Sequence, residues 1–360
     1  MYPRGFVAIL GLGIAMSGFG GVFGAQAVAA AKPAAVLPPA RLSAGTAPAG
    51  ESPTLWLGEE YGLAEYAIGR PTPKLYAKVH GSAESVVADS AGNVYAALIG
   101  ATPAVVEYAA GTVNPLRTIT QGIGIPLALT VDPFGTLSVL NGAGNSPGYV
   151  SVYASGATSP SYTIPDGYFF QGDGPHPAIV SDAAGTIYVA NGTGGTAGPD
   201  GNTGSVTVYA AGTGALVNTI TAGIDYPNAL AIDHSGNLYV ANSNGNTVSI
   251  YAPGATTPTR VIDVSSPYSL ALDATDNVYV AGGSQITVYR HGSFALRETI
   301  ALGMGGYTGQ GMVVANSRIA ITVYSGQTTA VAVYGASSGQ LVYSIAPPHF
   351  VNALTFAPAP

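Results

Sequence analysis

The strongest constraint on this chain is a repeat of short apolar alternations, clearest from Pro227 to Asp263 (PNALAIDHSGNLYVANSNGNTVSIYAPGATTPTRVID). Four strand-like runs sit inside that unit: Ala229 to Asp233, Asn237 to Asn242, Val248 to Tyr251 and Arg260 to Ile262. His234-Ser235-Gly236, the polar loop Ser243 to Asn246 and Pro253-Gly254 separate them. Runs of this length, rich in Val, Ile and Tyr and bounded by Gly, Pro and Asn, predict strands rather than helices. A four-stranded antiparallel unit of about 40 residues has the size of a propeller blade.

Two markers count the units. A tyrosine closes the third strand at Tyr66, Tyr108, Tyr153, Tyr209, Tyr251, Tyr289 and Tyr334, at spacings of 42, 45, 56, 42, 38 and 45 residues. An aspartate follows the first strand at Asp89, Asp132, Asp182, Asp233 and Asp273. The ends of the chain fit each other. Val351 to Phe356 repeats the pattern of Pro227 to Ile232 with no second strand after it, while Leu55 to Val79 supplies strands two to four with no first strand. The expectation is an all-β, seven-bladed β-propeller closed by one composite blade drawn from both termini, with six blades as the alternative. Closure of that kind removes the unpaired sheet edges that invite aggregation.

Outside the repeat, Met1 to Ala27 has the form of a secretory signal: Arg4, an apolar run from Phe6 to Met16, and Ala25-Gln26-Ala27 as a small-x-small cleavage site. An uncleaved anchor is the alternative, and no later stretch is long and apolar enough to span a bilayer. Residues 28–53 are Pro/Ala-rich without alternation and predict a flexible linker, which leaves 54–360 for the propeller. The expected location is secreted, periplasmic or cell-surface. The chain has fifty glycines and 26 prolines, and within the repeat they fall mainly at the turns that an all-β fold needs. The absence of cysteine excludes disulfides and thiolate metal sites. A formal net charge of −7 with no basic cluster argues against nucleic acid, whose phosphates demand a positive surface.

The Tyr-Val-Ala-Asn strands, Tyr188 to Asn191 and Tyr239 to Asn242, resemble the NHL and YVTN families of extracytoplasmic β-propellers. The resemblance extends to gluconolactonase-like and streptogramin-lyase-like propellers and covers about residues 54 to 357. Ser138 to Asn141, Tyr95 to Leu98 and Tyr279 to Gly282 depart from the motif. The resemblance implies a fold of six or seven blades. In its enzymatic members it also implies metal-binding acidic, Asn or His side chains around the central pore. No such set matches here residue by residue.

In a propeller, the loops entering the first strands and those joining strands two and three share one face. The residue five before the aspartate marks the channel mouth there: Glu84, Leu127, Pro177, Asn228, Tyr268, Gln310 and Asn352. Glu84, Asn228, Gln310 and Asn352 form a polar subset able to bind a ligand or help hold a hard cation, Ca²⁺ or Mg²⁺, although hard cations usually take more carboxylate. The same side chains also commonly just solvate a pore. His80, His176 and His349 precede first strands on that face, so His80 and His349, together with Glu84, Asn228 and Asn352, are the metal candidates of an enzymatic reading. His234 and His291 fall on the opposite face and are read as incidental. Two insertions widen the ligand face: Pro165 to Pro177, with Tyr168, Phe169, Phe170, Asp173 and His176, and Gly192 to Gly204, following Asn191. Adjacent aromatics suit stacking on a sugar or peptide, or equally a plug for the channel.

Other motifs fail on context. The G-x-S-x-G matches at Gly144 and Gly335 precede no helix, as a nucleophile elbow requires. The loop from Asp200 has Ala211 where a calcium loop needs its glutamate. The expectation is therefore a monomeric, non-catalytic exported propeller that binds a carbohydrate, peptide or protein without a required cofactor. A metal-dependent lactonase- or lyase-like hydrolase at the channel mouth is the alternative.

Overall fold

Twenty-eight strands form seven separate four-stranded antiparallel sheets in the computed structural model, which describes residues 53–143, 146–165, 178–192, 204–303, 307–325 and 328–358. No helix occurs among the described residues. Each sheet is one blade. The inner strands of blades 1 to 6 are Ser82–Ala88, Ile125–Val131, Ile179–Ser181, Pro227–Ile232, Pro267–Leu272 and Tyr307–Ala315. The seventh, composite blade takes its inner strand, Val351–Ala357, from the C-terminal end. Thr54–Glu59, Gly62–Ala67 and Leu75–Lys78 complete it outward. Leu55 pairs with Phe356 and Leu57 with Leu354, so the composite-blade closure expected from the sequence is present. The inner strands neighbour one another in a closed cycle.

Burial follows the blades. Both faces of a middle strand are covered by adjacent blades, so these strands read as continuous apolar runs instead of alternations. Seven apolar clusters result, one between each neighbouring pair of blades. The composite blade is gripped on both sides: Trp56 and Leu63 pack with Val86 and Val94 of blade 1, and Leu55 and Leu57 with Ala320 and Val331 of blade 6.

The repeated polar residues have structural tasks. The third-strand tyrosines are buried, and the hydroxyls of Tyr153, Tyr251 and Tyr289 reach back between blades. Tyr153 donates to the Gln121 carbonyl at 2.6 Å and Tyr251 to that of Ala222 at 2.7 Å, each in the segment arriving from the preceding blade. Phenylalanine would fill the same space and leave that carbonyl unpaired. The first-strand aspartates cap their own turns. Asp233 Oδ1 accepts from the Ser235 and Asn237 amides, and Asp89, Asp132, Asp182 and Asp273 repeat the pattern. The fourth turn residue has positive φ, and is glycine at 92, 135, 185 and 236 but Asp276 in blade 5.

Candidate functional site

On the face where chain segments enter the inner strands, five of the seven positions aligned on the aspartates share one backbone feature. Glu84, Leu127, Asn228, Tyr268 and Asn352 are each the extra, unpaired residue of a β-bulge against the second strand. Gln310 lies in a wider irregularity between Thr308 and Met312, and Pro177 is outside the described residues. A bulge locally reverses the alternation and re-aims its side chain. A ring of bulges therefore marks the rim.

The rim side chains differ in availability. Tyr268 is 42% exposed, whereas Asn228 is buried and its Oδ1 has no partner among the described residues. Asn352 Nδ2 donates to Ser82 Oγ at 2.6 Å and approaches Glu84 Oε1 at 3.5 Å, joining the composite blade to blade 1. Burial raises the Glu84 carboxyl above its ordinary value, and the Ser82 hydroxyl opposes that rise. Asn228 belongs to blade 4, three blades along the ring, and does not join this pair. Glu84 and Asn352 are thus brought together, with one carboxylate between them.

Asn191 turns inward. It is 1% exposed, and its amide donates to the Val189 carbonyl and Thr207 Oγ1. Asn141 and Asn242 explain the motif: each accepts an amide from the incoming segment, Gly124 and Asp225 respectively, while donating within its own blade. The motif asparagine ties the incoming segment to the sheet. Replacing Asn191 with Ala should cost about 1–3 kcal/mol of stability in a chemical denaturation curve and leave ligand affinity unchanged. Tyr168, Phe169, Phe170, Asp173 and His176 lie outside the described residues, as does most of the second insertion.

His80 is exposed at the turn into blade 1, and His349 packs edge-on against Tyr61, with ring centroids 5.8 Å apart. Neither joins a group of three potential metal ligands among the described residues.

His349 instead helps line a cleft with Tyr61, Tyr76 and Lys78 on the same face, toward the outer strand of the composite blade. Tyr61 is 50% exposed and Tyr76 40%, and Phe350 stacks on Tyr324 at 5.1 Å beside them. Gly62 makes the cleft possible, because a Cβ there would fall inside the Tyr76 phenol. Below the rings lies Glu59. Gly58 pairs with Leu63 and Gly62 with Lys78, which puts Glu59, Gly62 and Lys78 in one row across the sheet. Glu59 is fully buried, and neither carboxylate oxygen has a hydrogen-bond partner among the described residues. Burial pushes its carboxyl from 4.5 up to about 7. Burial, then the Glu59 charge, raises both Tyr66, to about 12, and Tyr76. Sequence reasoning missed Tyr61, Tyr76 and Glu59 because the composite blade lacks the aspartate by which the others were aligned.

The fold defines a seven-bladed β-propeller whose strand-entry face carries a rim of bulges. No protein-family model matches the sequence, and no curated protein does. Among solved structures, the chain is similar to the crystal structure of a functionally unknown protein from Desulfotomaculum acetoxidans DSM 771. The TM-score is 0.68 at 15% identity, covering 86% of this chain and 100% of that one. A likeness at that identity is one of fold.

Proposed function

We propose that this chain is an exported, non-catalytic propeller of the NHL/YVTN kind that binds a carbohydrate or peptide through its bulged face. The observation that carries the reading is the cleft of Tyr61, Tyr76, Lys78 and His349. Large aromatic rings left in water on a loop-rich rim suit stacking on a sugar face or an apolar peptide side chain, and Lys78 adds a charged donor. The leader and Pro/Ala-rich linker support export, which N-terminal sequencing of the mature protein tests through cleavage after Ala27.

Glycan and peptide arrays would identify the ligand, and calorimetry would then compare variants. Tyr61→Ala and Tyr76→Ala should each weaken binding by about thirtyfold, as for a central aromatic anchor, with little change in melting temperature. Unchanged affinity in both would remove the cleft from the site. The hydrolase alternative draws support from the Glu84–Asn352 contact. Its signature is lactone turnover that a chelator abolishes and Glu84→Gln removes.

A further inference from the structure

On the face opposite the cleft, turns of blades 4 and 5 meet. Asp233, Asp276 and His291 each bring a ligand atom within 4.8 Å of the other two, and His234 Nδ1 lies 2.7 Å from Asp276 Oδ1. Both aspartates are buried, while His291 is exposed.

The repeat supplies its own comparison. The position of His234 is held by Ser90, Pro133, Ala183 and Ala274 in the equivalent turns. That of Asp276 is held by Gly92, Gly135, Gly185 and Gly236. Two residues after the third-strand tyrosine, where His291 stands, other blades carry Ala110, Ser155, Ala211, Pro253 and Ala336. Asp276 also adopts φ 61°, a left-handed conformation that favours the glycine found elsewhere. Three departures toward metal-ligating side chains therefore converge on one junction. They do so in a chain with only five histidines and 8% charged residues, where chance clustering is correspondingly rare.

We propose that this junction binds a divalent first-row transition metal of the zinc type through Asp276, His291 and Asp233, with His234 orienting Asp276. The donor chemistry selects the class. Imidazole with carboxylate suits zinc and its neighbours, whereas Ca²⁺ and Mg²⁺ take all-oxygen sets. His234 donates to Asp276 Oδ1 and leaves Oδ2 for the metal, the role that outer-shell partners usually play. Asp233 is the weakest of the three ligands, because its oxygens already accept from Ser235, Asn237 and Tyr239. The 3.1 Å bond from Tyr239 is the one that coordination at Oδ2 displaces. Water completes the shell on the exposed side.

The test is calorimetric titration of Zn²⁺ into the chelator-stripped full chain, with Mg²⁺ and Ca²⁺ as comparators. One equivalent of Zn²⁺ should bind and raise the melting temperature. Asp276→Gly and His291→Ala should each weaken binding by about tenfold or more. Both variants install residues that other blades carry at the same positions, so their metal-free melting temperatures should not fall. A hydrolytic metal at the opposite rim would persist in both variants, which separates the two sites. The proposal is overturned if Zn²⁺ shows no saturable binding, if both variants bind it like wild type, or if Ca²⁺ binds equally well and His291→Ala changes nothing.

Discussion

Deleting Val351 to Pro360 should unfold the protein at temperatures where the intact chain is fully native. The segment supplies the inner strand of the composite blade, with Val351, Ala353, Leu354 and Ala357 buried. Its loss uncovers Leu55 and Leu57 and frees the edge of Thr54–Glu59. Buried Val and Leu side chains contribute about 1.5–3 kcal/mol each, and a strand of backbone hydrogen bonds goes with them. The total is on the order of 10 kcal/mol, comparable with the whole stability of a typical domain, about 5–15 kcal/mol. Circular dichroism melting reads the effect directly. A synthetic peptide spanning 349–360 should restore part of the lost stability by adding back as a strand. A truncated chain that melts like the intact one would mean that the ring does not depend on its composite blade.

The second large effect is a fall in stability between pH 4.5 and about 7, caused by Glu59. Its carboxyl titrates near 4.5 when the chain is unfolded and near 7 when it is folded, because burial opposes the charge. Below pH 4.5 the group is protonated in both states and imposes no penalty. As pH rises through 7 the folded state must either hold a buried, unpaired charge or keep a proton that the unfolded state has released. Stability therefore declines across that window and is level above it. At roughly 1.4 kcal/mol per pH unit, the decline amounts to about 3 kcal/mol. Glu59→Gln should abolish this component and leave the variant at least as stable as wild type at pH 8. Denaturant midpoints at half-unit pH intervals would show it, and the difference between wild type and variant isolates Glu59 from the histidines and Glu84. A difference that stays constant from pH 4.5 to 7 would show that the carboxylate is solvated or paired.

Much of the architecture was legible in residue order. The tyrosine and aspartate markers sit where local physics needs them. Tyr153, Tyr251 and Tyr289 tie their blades to the segment arriving from the predecessor, and each aspartate closes a turn within five residues. The closure of the composite blade followed from a first strand without a successor at one end and strands two to four of a unit without a first strand at the other. Counting five back from the aspartates marked Glu84, Leu127, Asn228 and Tyr268, although nothing in the order of residues said that each of these four is a bulge.

The candidate sites were less legible. Asn191 lies in the motif that carries the family resemblance, yet it is buried and its Nδ2 donates inside the blade. His234 and Asp276 are 42 positions apart and meet only because successive blades stack turn against turn. The cleft joins Tyr61, Tyr76 and Lys78 to His349 from the far end of the chain, and that meeting exists only once the ring has closed. Turn chemistry and apolar alternation are short-range demands, so they leave their mark residue by residue. Which side chains face one another across a blade boundary is fixed by strand register and closure, and the burial that isolates Glu59 arises only when its neighbouring blade packs against it.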